Sequence, residues 1–203
     1  MFTRIPSGYY KVGISVSALS EHETLGGRFY TNVGERRVFV RSFRIRKHPV
    51  TVGEYFQFLE AIGSSNDDPE LEEMSHEKPV TGVSQLMAMR YSAWTSGRLP
   101  TAIEWEAAAR GTRDDSLTRL GTFAEECLNL ETPITVGSRP ECRNQFGLQE
   151  LVGGVLEWCS DRYEGKGILK GTPFNSSSFS LTDEVAYYPK TRPFNAGFRY
   201  VLD

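Results

Sequence analysis

The chain has 203 residues, of which 39% are hydrophobic, 12% aromatic and 24% charged, the profile of an ordinary globular protein with one sizeable core, not of a disordered or membrane chain. Its net charge of -3 sets up no overall basic field for phosphates, so nucleic acid is excluded as an expected partner. Cys127, Cys142 and Cys159 are odd in number and show no C-x-x-C spacing, which argues against a disulfide framework or a zinc knuckle.

From the N-terminus, "MFTRIPSGYYKVG" lacks the charged-then-apolar order of a signal peptide, and no apolar run approaches the ~20 residues that span a bilayer. A cytoplasmic protein with no membrane span is the expectation. "IPSGYYKVGIS" and "RRVFVRSFRI" alternate apolar and polar residues and predict strands. The cations Arg36, Arg37, Arg41, Arg44, Arg46 and Lys47 are interleaved with Val38, Val40, Phe43 and Ile45, which reads as a strand with one apolar and one solvated face.

The period then changes. "TVGEYFQFLEAIG" predicts a helix: Thr51 and Glu54 have the spacing of a capping box, Val52, Tyr55, Phe56, Leu59 and Ile62 fall on one face, and Gly63 stands where a helix stops. "SSNDDPELEEMSHEK" reads as an acidic, solvated connection. A second helix is expected in "SQLMAMRYSAWTSG", capped by Ser84 and with Leu86, Met89 and Ala93 on a shared face. A third is expected in "RLPTAIEWEAAARG", with Thr101 and Glu104 as a second capping box and Gly111 at its end. After Gly111 helical periodicity disappears, and the chain becomes rich in turns and isolated aromatics. The last residues, "AGFRYVLD", predict a terminal strand able to pair with the N-terminal one.

Taken in order, "IPSGYYKVG", "FRIRKHPVTVGEYFQFLEA", "KPVTGVSQLMAMRYSAW", "RLPTAIEWEAAARG", "NQFGLQELVGGVLEWCSDRY" and "NAGFRYVLD" resemble the successive blocks of the formylglycine-generating enzyme (sulfatase-modifying factor) family. The resemblance implies one α+β domain over residues 1–203 with an elaborated C-type lectin-like fold: two main helices flanking small antiparallel sheets, much irregular structure, and termini close together. It also implies that Trp94, Trp105 and Trp158, within framework blocks, are core residues, and that Asn195 and Arg199 belong to the framework. Catalytic members hold copper on a pair of cysteines in the C-terminal block, and soft thiolates are what Cu(I) requires. No cysteine follows Cys159 here. A second branch holds iron on histidines of an added helical domain, whereas this chain has only the scattered His22, His48 and His76.

The expectation is therefore a non-enzymatic member with no metal and no cofactor. Calcium is held in the family near a "GNVWEW" block. The present "GGVLEW" replaces the asparagine with Gly154 and the tryptophan with Leu156 and so loses an oxygen ligand, leaving Asn129 and Glu157 as oxygen donors. The open alternatives are an enzyme with a reactive centre at Cys159 beside Asp161 and Arg162 or with a distinct metal, and, as a third reading, a pseudo-enzyme that regulates or scaffolds a sulfatase-like partner.

Non-catalytic relatives of the fold include the variable proteins of diversity-generating retroelements, in which a C-terminal segment ending in a "GFR"-like motif is randomised at adenines. Between Gly171 and Arg199 only Glu184 and Lys190 lie outside the residues that such codons reach. The opening "RGGSW" of the family block is altered to "KGTPF", Lys170 to Phe174. Residues 168–199 are thus the candidate variable segment. Tyr, Ser and Asn dominate adaptable binding surfaces, because Tyr offers rigid amphipathic area and Ser and Asn compact hydrogen bonding. On that chemistry the candidate ligand-binding residues are Phe174, Asn175, Ser178, Phe179, Tyr187, Tyr188, Thr191, Pro193 and Phe194. The expected partner is a protein or other macromolecule, and the expected location cytoplasmic or virion-associated.

Overall fold

The computed structural model describes residues 1–14, 34–65, 69–112, 128–177 and 181–203. Two chain segments pair twice near the N-terminus. Strand β1 (Phe2–Ile5) lies antiparallel to β4 (Phe43–Arg46), and β2 (Gly8–Val12) lies antiparallel to β3 (Arg36–Val40). The alternation read from the sequence is present: Ile5, Tyr10, Val12, Val40, Phe43 and Ile45 all enter one core cluster, and the residues between them face solvent.

Three helices of similar length follow. Helix α1 (Val52–Ala61) opens with the complete Thr51–Glu54 capping box and gives way to Gly63, whose φ of 65° is left-handed. A short acidic helix, α2 (Pro69–Glu73), precedes α3 (Gln85–Trp94), whose N-cap Ser84 accepts from the Met87 N–H. Helix α4 (Ala102–Arg110) carries the second capping box, Thr101–Glu104. Among the described residues after Gly111 there is no further α-helix, only a 3-10 turn at Pro140–Cys142 and short strands.

Those strands are β5 (Val152–Gly154), β6 (Leu156–Tyr163), β7 (Lys166–Lys170), β8 (Thr172–Pro173), β9 (Glu184–Tyr187), β10 (Ala196–Gly197) and β11 (Val201–Leu202). The larger sheet has the order β10-β6-β7-β9, and β5 pairs with β8 in a separate small one. Strand β11 joins the N-terminal sheet in the order β1-β4-β11. The terminal strand thus shares a sheet with β1, with β4 between them, a correction to direct pairing. Strand β6 separates two cores, because successive side chains point to opposite faces. Trp158 enters the cluster of α1 and α3, and Cys159 enters that of α4 and the N-terminal ribbon.

Helix α3 overturns one sequence expectation. Leu86, Met89 and Ala93 do share a face, but that face is exposed, and the buried one carries Gln85, Ala88, Tyr91 and Ser92. Polar residues can take the inner positions because their donors find backbone acceptors there: the Gln85 amide N–H donates to the Cys159 carbonyl at 2.8 Å, although its Oε1 stays unpartnered, and the Ser92 hydroxyl donates to the Ala88 carbonyl at 2.8 Å. Trp94 is likewise not a core residue. It remains 46% exposed while one side of its indole packs on Phe58 and Tyr91. In α1, Phe58 is fully buried, whereas the expected Phe56 and Ile62 only flank the core.

The corrected face yields a stability test. Leu86→Gln and Met89→Gln should each change the unfolding free energy by less than about 0.5 kcal/mol, and Ala88→Gln should lower it by more than about 2 kcal/mol. Thr101→Ala should cost about 1 kcal/mol through loss of the cap. Urea titration with an unchanged m-value reads all four.

Candidate functional site

The C-terminal block is anchored at both ends by buried charge. At its start, fully buried Lys170 donates from Nζ to Glu106 Oε2 at 3.0 Å and to the Thr182 carbonyl at 2.9 Å. The other oxygen of Glu106 accepts from the Gly13 N–H at 2.7 Å and from Arg110 at 3.0 Å. A lysine can stand where the family has arginine because this carboxylate reaches it directly. At the far end, Arg199 is fully buried and grips Glu157 with two bonds, Nε to Oε2 at 2.6 Å and Nη2 to Oε1 at 2.7 Å.

Between those anchors the candidate residues separate. Tyr188 and Phe194 are 65% and 63% exposed, and Tyr187 is 38% exposed. Asn175 and Thr191 are exposed as well. Tyr187 ends β9, an outer strand of the four-stranded sheet, opposite Gly167 of β7. The Tyr188 ring lies 5.5 Å from Lys166 Nζ, a cation–π contact that orients it without covering it. Phe174 is only 3% exposed. Its ring supports Phe194 edge-on at 6.4 Å, so Phe174 is a floor for the displayed ring and not itself on display. Pro193 is buried too. Burial removes both from the accessible set: the family's aromatic position in this block remains a packing position, and Pro193 sits beneath the turn that lifts Phe194. Ser178 and Phe179 lie outside the described residues.

A hollow of about 170 Å³ opens within the same block, lined by residues that include Asn175, Ser176, Asp183 and Asn195. The Asn195 amide donates to Asn175 Oδ1 at 3.0 Å across its rim. Asn195 was expected only in the framework. Its place on the rim was not legible because it depends on the turn at Phe174–Asn175 meeting the chain some twenty residues on.

The donors that redox or calcium chemistry needs do not fit here. The block has no thiolate. Both carboxylate oxygens of Glu157 are taken by Arg199, and Oε2 also accepts from the Trp105 indole N–H at 2.6 Å. An asparagine at position 154 would drive its Cβ into the Glu150 carbonyl, so the glycine there answers to backbone packing. Among the described residues no group of three or more His, Cys, Asp or Glu converges on one point. Cys159 is fully buried; its burial, then Asp161 nearby, pushes the thiol well above its ordinary value.

The family profile described as the sulfatase-modifying factor enzyme 1-like domain matches residues 2–203. The chain belongs to this family. Its sulfatase-modifying-factor-like relatives differ in activity. The chain is 33% identical over 126 residues to the formylglycine-generating enzyme of Thermomonospora curvata, covering 54% of this chain and 40% of that one. It is 30% identical over 149 residues to the inactive C-alpha-formylglycine-generating enzyme 2 of Bos taurus, 61% of this chain and 50% of that one. It is also 31% identical over 147 residues to the serine/threonine-protein kinase pkn1 of Chlamydia pneumoniae, 63% of this chain but 24% of the kinase. The alignments thus span half or less of each relative's length.

Among solved structures, PvdO from Pseudomonas aeruginosa superposes with a TM-score of 0.74 at 19% identity, over 98% of this chain and 93% of that one. Treponema denticola variable protein 1 superposes with a TM-score of 0.69 at 18% identity, over 98% and 94%. These likenesses establish the α+β, C-type lectin-like fold.

Buried Cys159 gives a chemical prediction. In the native protein at pH 8 it should resist alkylation, as mapped by mass spectrometry, and react once urea unfolds the chain. The sign of its pH linkage follows. The folded thiol keeps its proton while the unfolded one ionises above ~8.5, so this group's contribution to stability should decline as pH rises past that value.

Proposed function

We propose that the chain is a non-catalytic binding domain that presents residues 168–199 as its recognition surface to a protein or other macromolecule, in the manner of a retroelement-diversified variable protein. One observation carries the reading. Tyr187, Tyr188 and Phe194 project into solvent from a cysteine-free block whose two ends are fixed by buried ion pairs. Exposed aromatics held on a rigid frame lose little rotamer entropy on binding, and that is what an adaptable recognition surface requires. Asn175 and Thr191, with Asn195 and the polar hollow, add hydrogen-bonding groups beside them.

The enzymatic alternative at Cys159 gains no support from the geometry: its sulfur is buried and sits 3.8 Å from the Glu157 carbonyl, in the core and not in a cleft.

Replacing Tyr187, Tyr188 and Phe194 together with Ala should leave the fold and the urea midpoint nearly unchanged, since exposed positions contribute little to stability. The variant should lose the ligand that the parent selects from a displayed peptide or protein library. Collapse of the triple variant would mean that the three rings belong to the core and would defeat the proposal. Stoichiometric Cu(I) or Fe(II) binding with oxygen consumption by the parent would defeat it from the enzymatic side.

A further inference from the structure

The N-terminal ribbon carries a second surface, separate in sequence and in sheet from residues 168–199. In its distal half, β2 and β3, the inward residues Tyr10, Val12 and Val40 enter one core cluster, so the outward ones form a single solvent face. Along that face lie two cross-strand pairs: Tyr9 opposite Phe39, and Lys11 opposite Arg37. Tyr9 is 61% and Phe39 56% exposed, with their rings in edge-to-face contact at 5.4 Å and 68°. Arg41 is exposed between the two halves. The result is an aromatic centre with cations on both sides.

Fold stability does not account for this arrangement. Like charges directly opposite on paired strands are destabilising, and Lys11 and Arg37 stand so on this face. Glu35 relieves only one cation of the face, pairing with Lys11 at 2.9 Å, and it also holds Arg110. Among the described residues no carboxylate pairs with Arg37 or Arg41. A chain whose net charge is -3 has nonetheless placed Lys11, Arg37 and Arg41 beside an exposed aromatic pair, and departures from local rules of this kind are expected at functional sites.

We infer that this face docks an acidic segment of a partner protein, with an apolar side chain of that segment seated on Tyr9 and Phe39 and its carboxylates on Lys11, Arg37 and Arg41. An aromatic centre with an arginine rim is the anatomy of a protein interface, and arginine's planar fork matches a carboxylate bidentately. One feature favours a polypeptide over nucleic acid: the edge-to-face rings offer no pair of parallel faces on which successive bases could stack.

The probe is a labelled peptide with glutamates flanking a central Leu-Phe pair, titrated into the full chain by fluorescence anisotropy. Oligothymidylate and phosphatidylserine vesicles serve as rivals. The peptide should bind, weaken with added salt, and lose about tenfold or more in affinity with R37E/R41E and with Y9S/F39S. A peptide with lysines for glutamates should bind R37E/R41E more tightly than the parent. Circular dichroism checks folding; should Y9S/F39S not fold, the charge-reversal pair at exposed positions decides alone. Absence of peptide binding, equal affinity for parent and R37E/R41E, or preference for oligothymidylate or vesicles over peptide overturns the inference.

Discussion

The bond between Arg199 and Glu157 is the contact on which most of the architecture converges. The guanidinium occupies both oxygens of the carboxylate, and its remaining N–H groups donate to the carbonyls of Lys47 at 2.9 Å, Gln149 at 2.8 Å and Arg46 at 3.2 Å. The Trp105 indole adds a further donor to the same carboxylate. One buried pair therefore joins the end of β4, the loop before β5, strand β6, helix α4 and the C-terminal strands. Removing one partner of such a pair leaves an unpaired buried charge, worth roughly 3–5 kcal/mol, although an apolar replacement of both can be neutral. Its value thus lies in selecting one arrangement of segments that are short, irregular and far apart in sequence. Arginine suits this role because its donors are fixed in a plane and stay charged when buried.

The second buried network does the same for the start of the C-terminal block. Glu106 and Arg110, one turn apart on α4, meet Lys170 of β7 and the backbone of Gly13. With both ends immobilised, the chain between Lys170 and Arg199 can be irregular without being slack. Its inward residues Phe174, Leu181 and Pro193 pack beneath, and its outward aromatics are left to solvent. A framework that owes so little to the outward side chains can tolerate change in them. That tolerance is what the proposed recognition surface requires.

Most of the fold was legible because its signals are local. Two capping boxes and an N-cap serine marked the helix starts, and strict alternation marked the N-terminal ribbon. The failures share one cause. The burial of Gln85 and Ser92 in α3 depends on carbonyls that only the folded backbone supplies, so an apolar-period argument selected the wrong face. Trp94 is expected in the core because its block resembles the family framework, and a shared block does not say whether a second layer covers the ring. Within the candidate site the exposure of Tyr187, Tyr188 and Phe194 is a tertiary fact, and so is the burial of Phe174 and Pro193 in the same aromatic-rich stretch. The cation pairs of the ribbon were read as an ordinary solvated face, since cross-strand register is invisible until the strands are paired.

The claim that a single buried ion pair organises the frame is tested most directly by native-state hydrogen exchange on Arg199→Lys, which keeps the charge but lacks the fork. The account predicts that amides of β4, β6, β10 and β11 lose protection together while exchange in the outer turns around residues 187–194 stays as in the parent. Unchanged protection in those four strands would contradict it.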